Sequence, residues 1–294
     1  MKVAVLYNRK SGRGADPAVE AQVVSGLKAM GHEVELLVPT AKGQMTELAR
    51  QAATSGAGML VSVGGDGTLN EVVNGALGHG VPVGVIPLGT VNVWARCVGI
   101  PLDVAGALGV IATGAPRPVT VARANQRAFV FTAGIGLDSE VLSNEDLKLK
   151  KYIGRYSYYL KTAQLLPTWR PPRLEIAFDG GPATPCESVI FSKTNLYGDR
   201  FYMCPQASPF DAQVDACMFT RWTPTKFLRS ATASTWAGSH LKHEWIAYRK
   251  FSRAVISSPD RAHIHVDGEY LGTMPVEITA LPDALTAVLP ARGG

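Results

Sequence analysis

Met59-Leu60-Val61-Ser62-Val63-Gly64-Gly65-Asp66-Gly67-Thr68-Leu69-Asn70-Glu71 is the stretch from which the rest of the chain can be read. Its first five residues form a short apolar run, as a buried strand does. From Leu69 to Leu77 the apolar residues return at helical spacing. Gly64, Gly65, Asp66, Gly67 and Thr68 stand between strand and helix. Glycines let a phosphate chain approach the backbone, and a helix N-terminus presents unpaired N–H groups to an anion. Asp66 can hold a metal ion or its bound water. Thr68 can cap the helix and touch phosphate. An ordinary glycine turn capped by Asp and Thr is the plainer alternative. The strand before it and the helix after it favour the phosphate loop.

The same alternation extends on both sides. Val3–Tyr7 reads as a strand, closed by the polar turn 8–14. Helical spacing over 17–30 ends at Gly31. Glu33–Val38 reads as a second strand, 42–54 as a helix and Val83–Ile86 as a fourth strand running into Pro87-Leu88-Gly89-Thr90. Strands joined by helices require crossover connections and a parallel sheet. Ligands of such sheets sit at the carboxyl ends of the strands, where the turns 8–14, 64–68 and 87–90 all fall.

Beyond about residue 118 the texture changes. Short strand-like runs (119–122, 128–132, 174–178, 188–193, 216–220, 254–257, 262–266 and 284–289) are separated by turns, with one helix at about 147–166. This spacing predicts an antiparallel sheet or sandwich. The expected organisation is an α/β domain over 1–120 and a β-rich domain over 121–294, with the extreme C-terminus able to pack back on the first.

The 294 residues, 46% hydrophobic and 18% charged, exclude a disordered chain. The net charge of +5 is regional. Segment 147–173 carries seven cations and no acid; segment 221–253 carries seven cations against Glu244 alone. Such fields suit an anionic membrane surface, a phosphate-rich ligand or nucleic acid. In 147–173 the cations are mixed with Tyr152, Tyr156, Tyr158, Tyr159 and Trp169, a pattern that suits peripheral docking on anionic lipid and equally a solvated surface helix whose Tyr side chains pack on its own sheet. No nucleic-acid motif is present, and no nucleic-acid partner is expected. Cys97, Cys186, Cys204 and Cys217 lack zinc or redox spacing and fit a reducing compartment. No run of 18 apolar residues exists, and the N-terminus reads as a strand rather than a leader. The expectation is a cytoplasmic protein, peripheral at the inner membrane surface. A homodimer is left open.

By dipeptide chemistry alone, Asp267-Gly268 reads as a hairpin turn. The pairs His263/His265 and His240/His243 could each share a face, but no third metal ligand is evident.

GGDGTLNEVVNG (64–75) resembles the nucleotide-binding signature of the diacylglycerol kinase catalytic family, which includes sphingosine kinases and bacterial soluble lipid kinases. Further blocks follow in the family's order: Pro87-Leu88-Gly89-Thr90-Val91-Asn92 with Ala95-Arg96 and Gly99-Ile100-Pro101; Gly134-Ile135-Gly136-Leu137-Asp138; Pro205 through Asp211 and Asp215; and Asp267-Gly268-Glu269. The resemblance implies an α/β nucleotide-binding domain with a parallel sheet plus a β-sandwich second domain. It implies an ATP-dependent lipid kinase that uses Mg²⁺ and phosphorylates a hydroxyl of diacylglycerol or a sphingoid-type alcohol.

Roles follow by resemblance. Asn8, Ser11, Thr40, Gly64, Gly65, Asp66, Gly67, Thr68, Asn70, Glu71, Gly89, Thr90 and Asn92 would bind nucleotide. Asp138 would meet the acceptor. Asp267 or Glu269 would be the general base, with Asp66 assisting at the metal, and the two carboxylates of an extended strand at i and i+2 would point the same way. Asp211 and Asp215 match positions of a structural Mg²⁺ site, although Phe210 and Ala212 depart from that pattern. Val93 stands where the family has an Asp of the active-site acidic network. Two other readings stay open: an enzyme like NAD kinase, which shares GGDGT, and a nucleotide- or lipid-binding regulatory protein with weakened catalysis.

Overall fold

A computed structural model describes residues 1–143, 156–236 and 238–291, with the side chains of 156–158 left aside. The chain divides into two compact units. The first comprises Met1–Val121 and Leu281–Gly294, the second Ala122–Ala280.

In the first unit, strands β1 (Lys2–Tyr7), β2 (Glu33–Leu37), β3 (Met59–Gly64) and β4 (Val83–Pro87) form a parallel sheet in the order β2-β1-β3-β4. The chain's last strand, β16 (Val276–Leu289), joins beyond β4 through Ala287 opposite Val83. Every residue of β3 and β4 is buried, which accounts for apolar runs without alternation. Crossover helices are α1 (Pro17–Ala29), α2 (Gln44–Thr54) and α3 (Asp66–Ala76). Asp16 caps α1 by accepting the Ala18 N–H, with Pro17 opening the helix. Two further helices, α4 (Val93–Val98) and α5 (Val104–Thr113), follow β4. Their chain then enters β5 (Ala115–Ala124), which spans the division between the units.

The second unit is a sandwich. One antiparallel sheet has the order β12-β11-β10-β7-β14-β15, from β7 (Thr132–Ile135), β10 (Ser188–Ser192), β11 (Val214–Phe219), β12 (Ile246–Phe251), β14 (His263–Val266) and β15 (Glu269–Thr273). The other places the start of β16 beside β13 (Arg253–Ser257), β8 (Leu174–Phe178) and β9 (Ala183–Cys186). The hairpin of β5 with β6 (Arg127–Phe129) leads into β7. A single buried cluster draws Ile135, Phe191 and Met218 from the first sheet and Ile176, Phe178 and Ile278 from the second. Phe251 meets Phe178 and Phe191 edge-to-face at 5.2 and 5.5 Å.

Helices α6 (Leu137–Ser143), α7 (Tyr156–Leu165) and α8 (Pro224–Ser234) lie outside these sheets. The sequence reading placed one helix at about 147–166; the described helix is α7, and 144–155 lies outside the described residues. The helix α8 was not anticipated, although its signal is local: the Thr223 side chain accepts the Lys226 N–H and Pro224 opens the first turn. Among the described residues no helix is long and apolar enough to cross a membrane.

Phe251 is fully buried. Replacing it with Ala should destabilise the protein by about 3–5 kcal/mol, read as a lowered denaturant midpoint with an unchanged slope.

Candidate active site

In the first unit three loops meet at the carboxyl ends of β1, β3 and β4. The Asn8 amide donates to Val63 O, and its side-chain Nδ2 donates to Thr68 Oγ1 at 2.9 Å. The Leu88 N–H donates to Gly64 O at 2.7 Å. Gly65 and Gly89 lie backbone against backbone: a Cβ on Gly89 would come within 2.7 Å of Gly65 Cα. A Cβ on Gly65 would press on Ser11 Oγ at 3.2 Å, and one on Gly12 would strike the Leu88 carbonyl. Close approach therefore fixes glycine at these positions more than conformational freedom does. Asn92 closes the third loop by accepting from the Gly89 N–H at 3.0 Å and donating to the Gly89 carbonyl at 2.8 Å.

Thr68 and Asn70 are buried, whereas Thr90 is exposed. Glu71 is half-buried on α3, and Asn70 accepts from Asn74. Thr40 lies past β2; its hydroxyl and amide both bond Gln44 Oε1 at the start of α2.

Asp66 ties the loop after β3 to the loop after β4. Its carboxylate accepts the N–H groups of Val93 at 3.0 Å and Trp94 at 3.2 Å. It thereby caps α4, whose own preceding residue Asn92 is left-handed and makes no side-chain cap. Burial raises the Asp66 pKa, and the amides of Val93, Trp94 and Asn92 oppose that rise. The Val93 side chain is buried. Asp66 lines a small crevice with Gly64, Gly65, Asn92 and Trp94.

In the second unit Asp267-Gly268 is the two-residue turn between β14 and β15, with φ of +48° and +81°. The expectation of Asp267 and Glu269 on one extended strand is corrected by this turn. A two-residue loop with both φ positive matches the twist of paired strands, and Asp-Gly tolerates it at little cost. The buried Asp267 carboxylate accepts the N–H groups of Val130, Phe131 and Thr132 at 3.0, 3.2 and 2.9 Å. Glu269 is half exposed, with Arg127 at 3.5 Å.

Asp138 lines an apolar cavity of roughly 290 Å³ together with Tyr159, Ile190, Phe219, Phe227 and Leu228. Its carboxylate accepts from His265 Nε2 at 2.8 Å, Tyr197 OH at 2.9 Å and the Ser139 N–H at 2.8 Å. Burial alone would raise its pKa; the charge and hydrogen bond of His265, with Tyr197 and Ser139, outweigh that and hold it below the usual carboxylate range. His265 and Tyr197 were not assigned from sequence as partners of Asp138. They stand 127 and 59 residues from it in the chain.

The expected structural metal site at Asp211 and Asp215 is built differently. The Lys250 ammonium pairs with Asp211. The fully buried Lys193 donates its ammonium to the carbonyls of Asp211 and Gln213 at 2.6 and 2.5 Å. Asp215 is buried, takes the Tyr248 hydroxyl at 2.6 Å, and has its pKa raised by burial. At the positions expected to hold a divalent ion, Asp211 thus pairs with an ammonium group and Asp215 takes a phenol. Among the described residues no group of three or more His, Cys, Asp or Glu side chains could hold a metal. The histidine pairs do not converge either: His243 stacks on Trp245, the buried His240 contacts Met203 O, and His263 contacts Tyr270.

A glycine-built loop of the kind that cradles phosphate and an apolar cavity with one carboxylate are two features that a kinase of apolar acceptors requires. Comparison with known proteins agrees. Residues 2–124 match the model described as "Diacylglycerol kinase catalytic domain", and 132–289 match "YegS C-terminal NAD kinase beta sandwich-like domain". A protein from Bacillus subtilis (strain 168) named diacylglycerol kinase is 33% identical over 98% of this chain and 96% of its own. One from Staphylococcus carnosus (strain TM300), of the same name, is 29% identical over 98% and 95%. A crystal structure from Bacillus anthracis str. Sterne shares the fold with a TM-score of 0.81 at 26% identity, over 98% of this chain and 94% of that one.

The chain belongs to the diacylglycerol kinase catalytic-domain family. It is accordingly an ATP-using lipid kinase, as the motifs implied.

Two outcomes test the lysine cluster. In the absence of nucleotide, EDTA should leave the melting temperature unchanged. Lys250→Ala should lower it, and Mg²⁺ should then raise it in the variant alone. Calorimetry of both proteins checks this, and a drop in wild-type Tm with EDTA would restore the structural metal. Burial also depresses the Lys193 pKa from 10.5 to about 8. Between those pH values the unfolded chain holds more protons, so this group's contribution to stability rises with pH. Denaturation of Lys193→Met across that window should lack this rise.

Proposed function

We propose that this protein transfers the γ-phosphate of ATP, as its Mg²⁺ complex, to the free hydroxyl of diacylglycerol at the inner membrane surface. The observation that carries the reading is the apolar cavity of the second unit, whose wall contains one carboxylate among aromatic and aliphatic side chains. A dinucleotide acceptor needs polar, hydrogen-bonding walls; an acyl chain needs apolar ones such as this cavity has. The names of the relatives point to the same acceptor.

In this reading, the loop residues Asn8, Ser11, Gly64, Gly65, Gly67, Thr68, Gly89, Thr90 and Asn92 hold the triphosphate, with Thr40, Asn70 and Glu71 at its periphery. Mg²⁺ keeps most of its shell as phosphate and water oxygens and needs only one or two carboxylates. Asp66 fits that demand, and the ion would offset charge on the transferred group. The acceptor oxygen attacks phosphorus, the bond to the bridging oxygen of ADP breaks, and the hydroxyl proton passes to a carboxylate. Asp267 and Glu269 are the candidates for it. Asp267 is held in place by three backbone amides. Glu269 is the more accessible.

Peripheral membrane contact is supported by the cavity's exposed edge. Tyr159 and Leu228 line the cavity and are 41% and 53% exposed. Lys161, Arg170 and Arg173 follow on the same segment. Of the basic segment read from sequence, residues 147–155 lie outside the described residues.

The experiment is transfer of labelled γ-phosphate from ATP and Mg²⁺ onto a mixed lipid extract. Label on phosphorylated diacylglycerol is the expected result; label on a soluble dinucleotide alone would overturn it. Asp267→Asn and Glu269→Gln then identify the base. Loss of the base should lower kcat by about 10²–10⁴ with KM for ATP unchanged, while the other variant keeps most activity. A melting curve on each separates chemistry from the structural role of the Asp267 amide bonds.

A further inference from the structure

Asp138 is the one charged side chain among the described residues lining the apolar cavity. A carboxylate only accepts hydrogen bonds, so His265 Nε2 carries the proton between them. His265 is 2% exposed, and its Nδ1 has no hydrogen-bond partner among the described residues. Burying an imidazole with one nitrogen unsatisfied is unfavourable. The charge-assisted bond to Asp138 offsets that cost.

Space for the pair comes from Gly134. It sits opposite His265 in the register of β7 and β14. A Cβ there would lie 2.3 Å from Asp138 Oδ2 and 2.4 Å from His265 Nε2. The same two strands also hold Asp267. The Asp267 N–H donates to Thr132 O, at the start of β7, and its carboxylate takes the amides of 130–132. His265 and Asp267 are two residues apart across the end of β14. One short strand thus carries both the partner of Asp138 and the turn carboxylate.

We propose that His265 is a positioning residue for the lipid acceptor. It acts through Asp138, fixing that carboxylate at the cavity wall so that its remaining acceptor site takes a hydroxyl of the neutral headgroup. Through β14 it also sets that anchor relative to Asp267. Tyr197 assists by donating to the same Asp138 oxygen. Oδ2 takes His265 and Tyr197, and Oδ1 takes the Ser139 N–H; the Ser139 hydroxyl, 3.4 Å from Oδ1, donates its one proton to the Gly134 carbonyl at 2.5 Å, so Oδ1 keeps room for about one more. A headgroup hydroxyl supplies one. This inference rests on the cavity being the acceptor's site.

The test is steady-state kinetics of the full chain on diacylglycerol in mixed micelles, with lipid and ATP varied separately. His265→Phe should raise KM for the lipid by roughly ten- to a hundredfold, the loss expected for a hydrogen bond to a charged group, and leave KM for ATP unchanged. His265→Gln places an amide nitrogen near the Nε2 position and should recover most of the loss. His265→Asn, too short to reach it, should not. The Gln and Asn variants are both polar, so their comparison stands if the Phe variant fails to fold. Wild-type lipid KM in His265→Asn, alongside a raised lipid KM in Asp138→Asn, would overturn the role of His265 alone. Equal rises in both KM values without rescue by Gln would reduce His265 to a packing residue. An unchanged lipid KM in Asp138→Asn would instead remove the cavity reading itself.

Discussion

Backbone N–H groups without partners at the ends of loops and helices must be satisfied, and two aspartates from distant parts of the chain do so here. Asp66 takes the amides of 93 and 94; Asp267 takes those of 130–132. In each case a motif residue that invites a purely chemical reading also fixes a loop. The first bond holds the short helix α4 against the phosphate loop. The second holds the entry of β7 against the hairpin turn. Removing either carboxylate would leave several donors unpaired at once. Activity measurements on these residues are therefore informative only with stability measured beside them.

Charge is handled differently at three carboxylates of the second unit, of which Asp215 is fully buried and Asp138 and Asp211 are partly so. Asp138 is balanced by an imidazole and a phenol, Asp211 by Lys250, and Asp215 by a phenol within a cluster that includes Lys193. A divalent metal would offer the same kind of compensation at these positions; Asp211 receives it from the Lys250 ammonium. The difference matters at Phe210 and Ala212, where the sequence departs from its family: a lysine bonded to backbone carbonyls does not need the missing ligands.

The glycines divide into two kinds. Gly268 follows a left-handed Asp267 and completes a turn that needs positive φ. Gly65, Gly89 and Gly134 instead make room for another loop, a carboxylate or an imidazole. The second kind reports on the site, because each of these glycines meets an atom of a residue distant in the chain: Ser11 at Gly65, Gly65 at Gly89 and His265 at Gly134.

Local chemistry carried the sequence reading a long way. A buried strand running into Gly64-Gly65-Asp66-Gly67-Thr68 marks a helix N-terminus at the carboxyl end of a parallel strand, whatever the rest of the chain does. Asp267-Gly268 marks a hairpin for the same reason: its turn conformation is a property of two residues. Apolar runs of two textures separated the α/β unit from the sandwich. Tertiary structure decided what those residues touch. Lys250 lies 39 residues from Asp211, and His265 lies 127 from Asp138. Neither pairing has a sequence period, because each depends on strand order and register within the antiparallel sheet. Turns and caps are short-range energies written in neighbouring residues. The partner of a buried charge is chosen by which strands lie side by side.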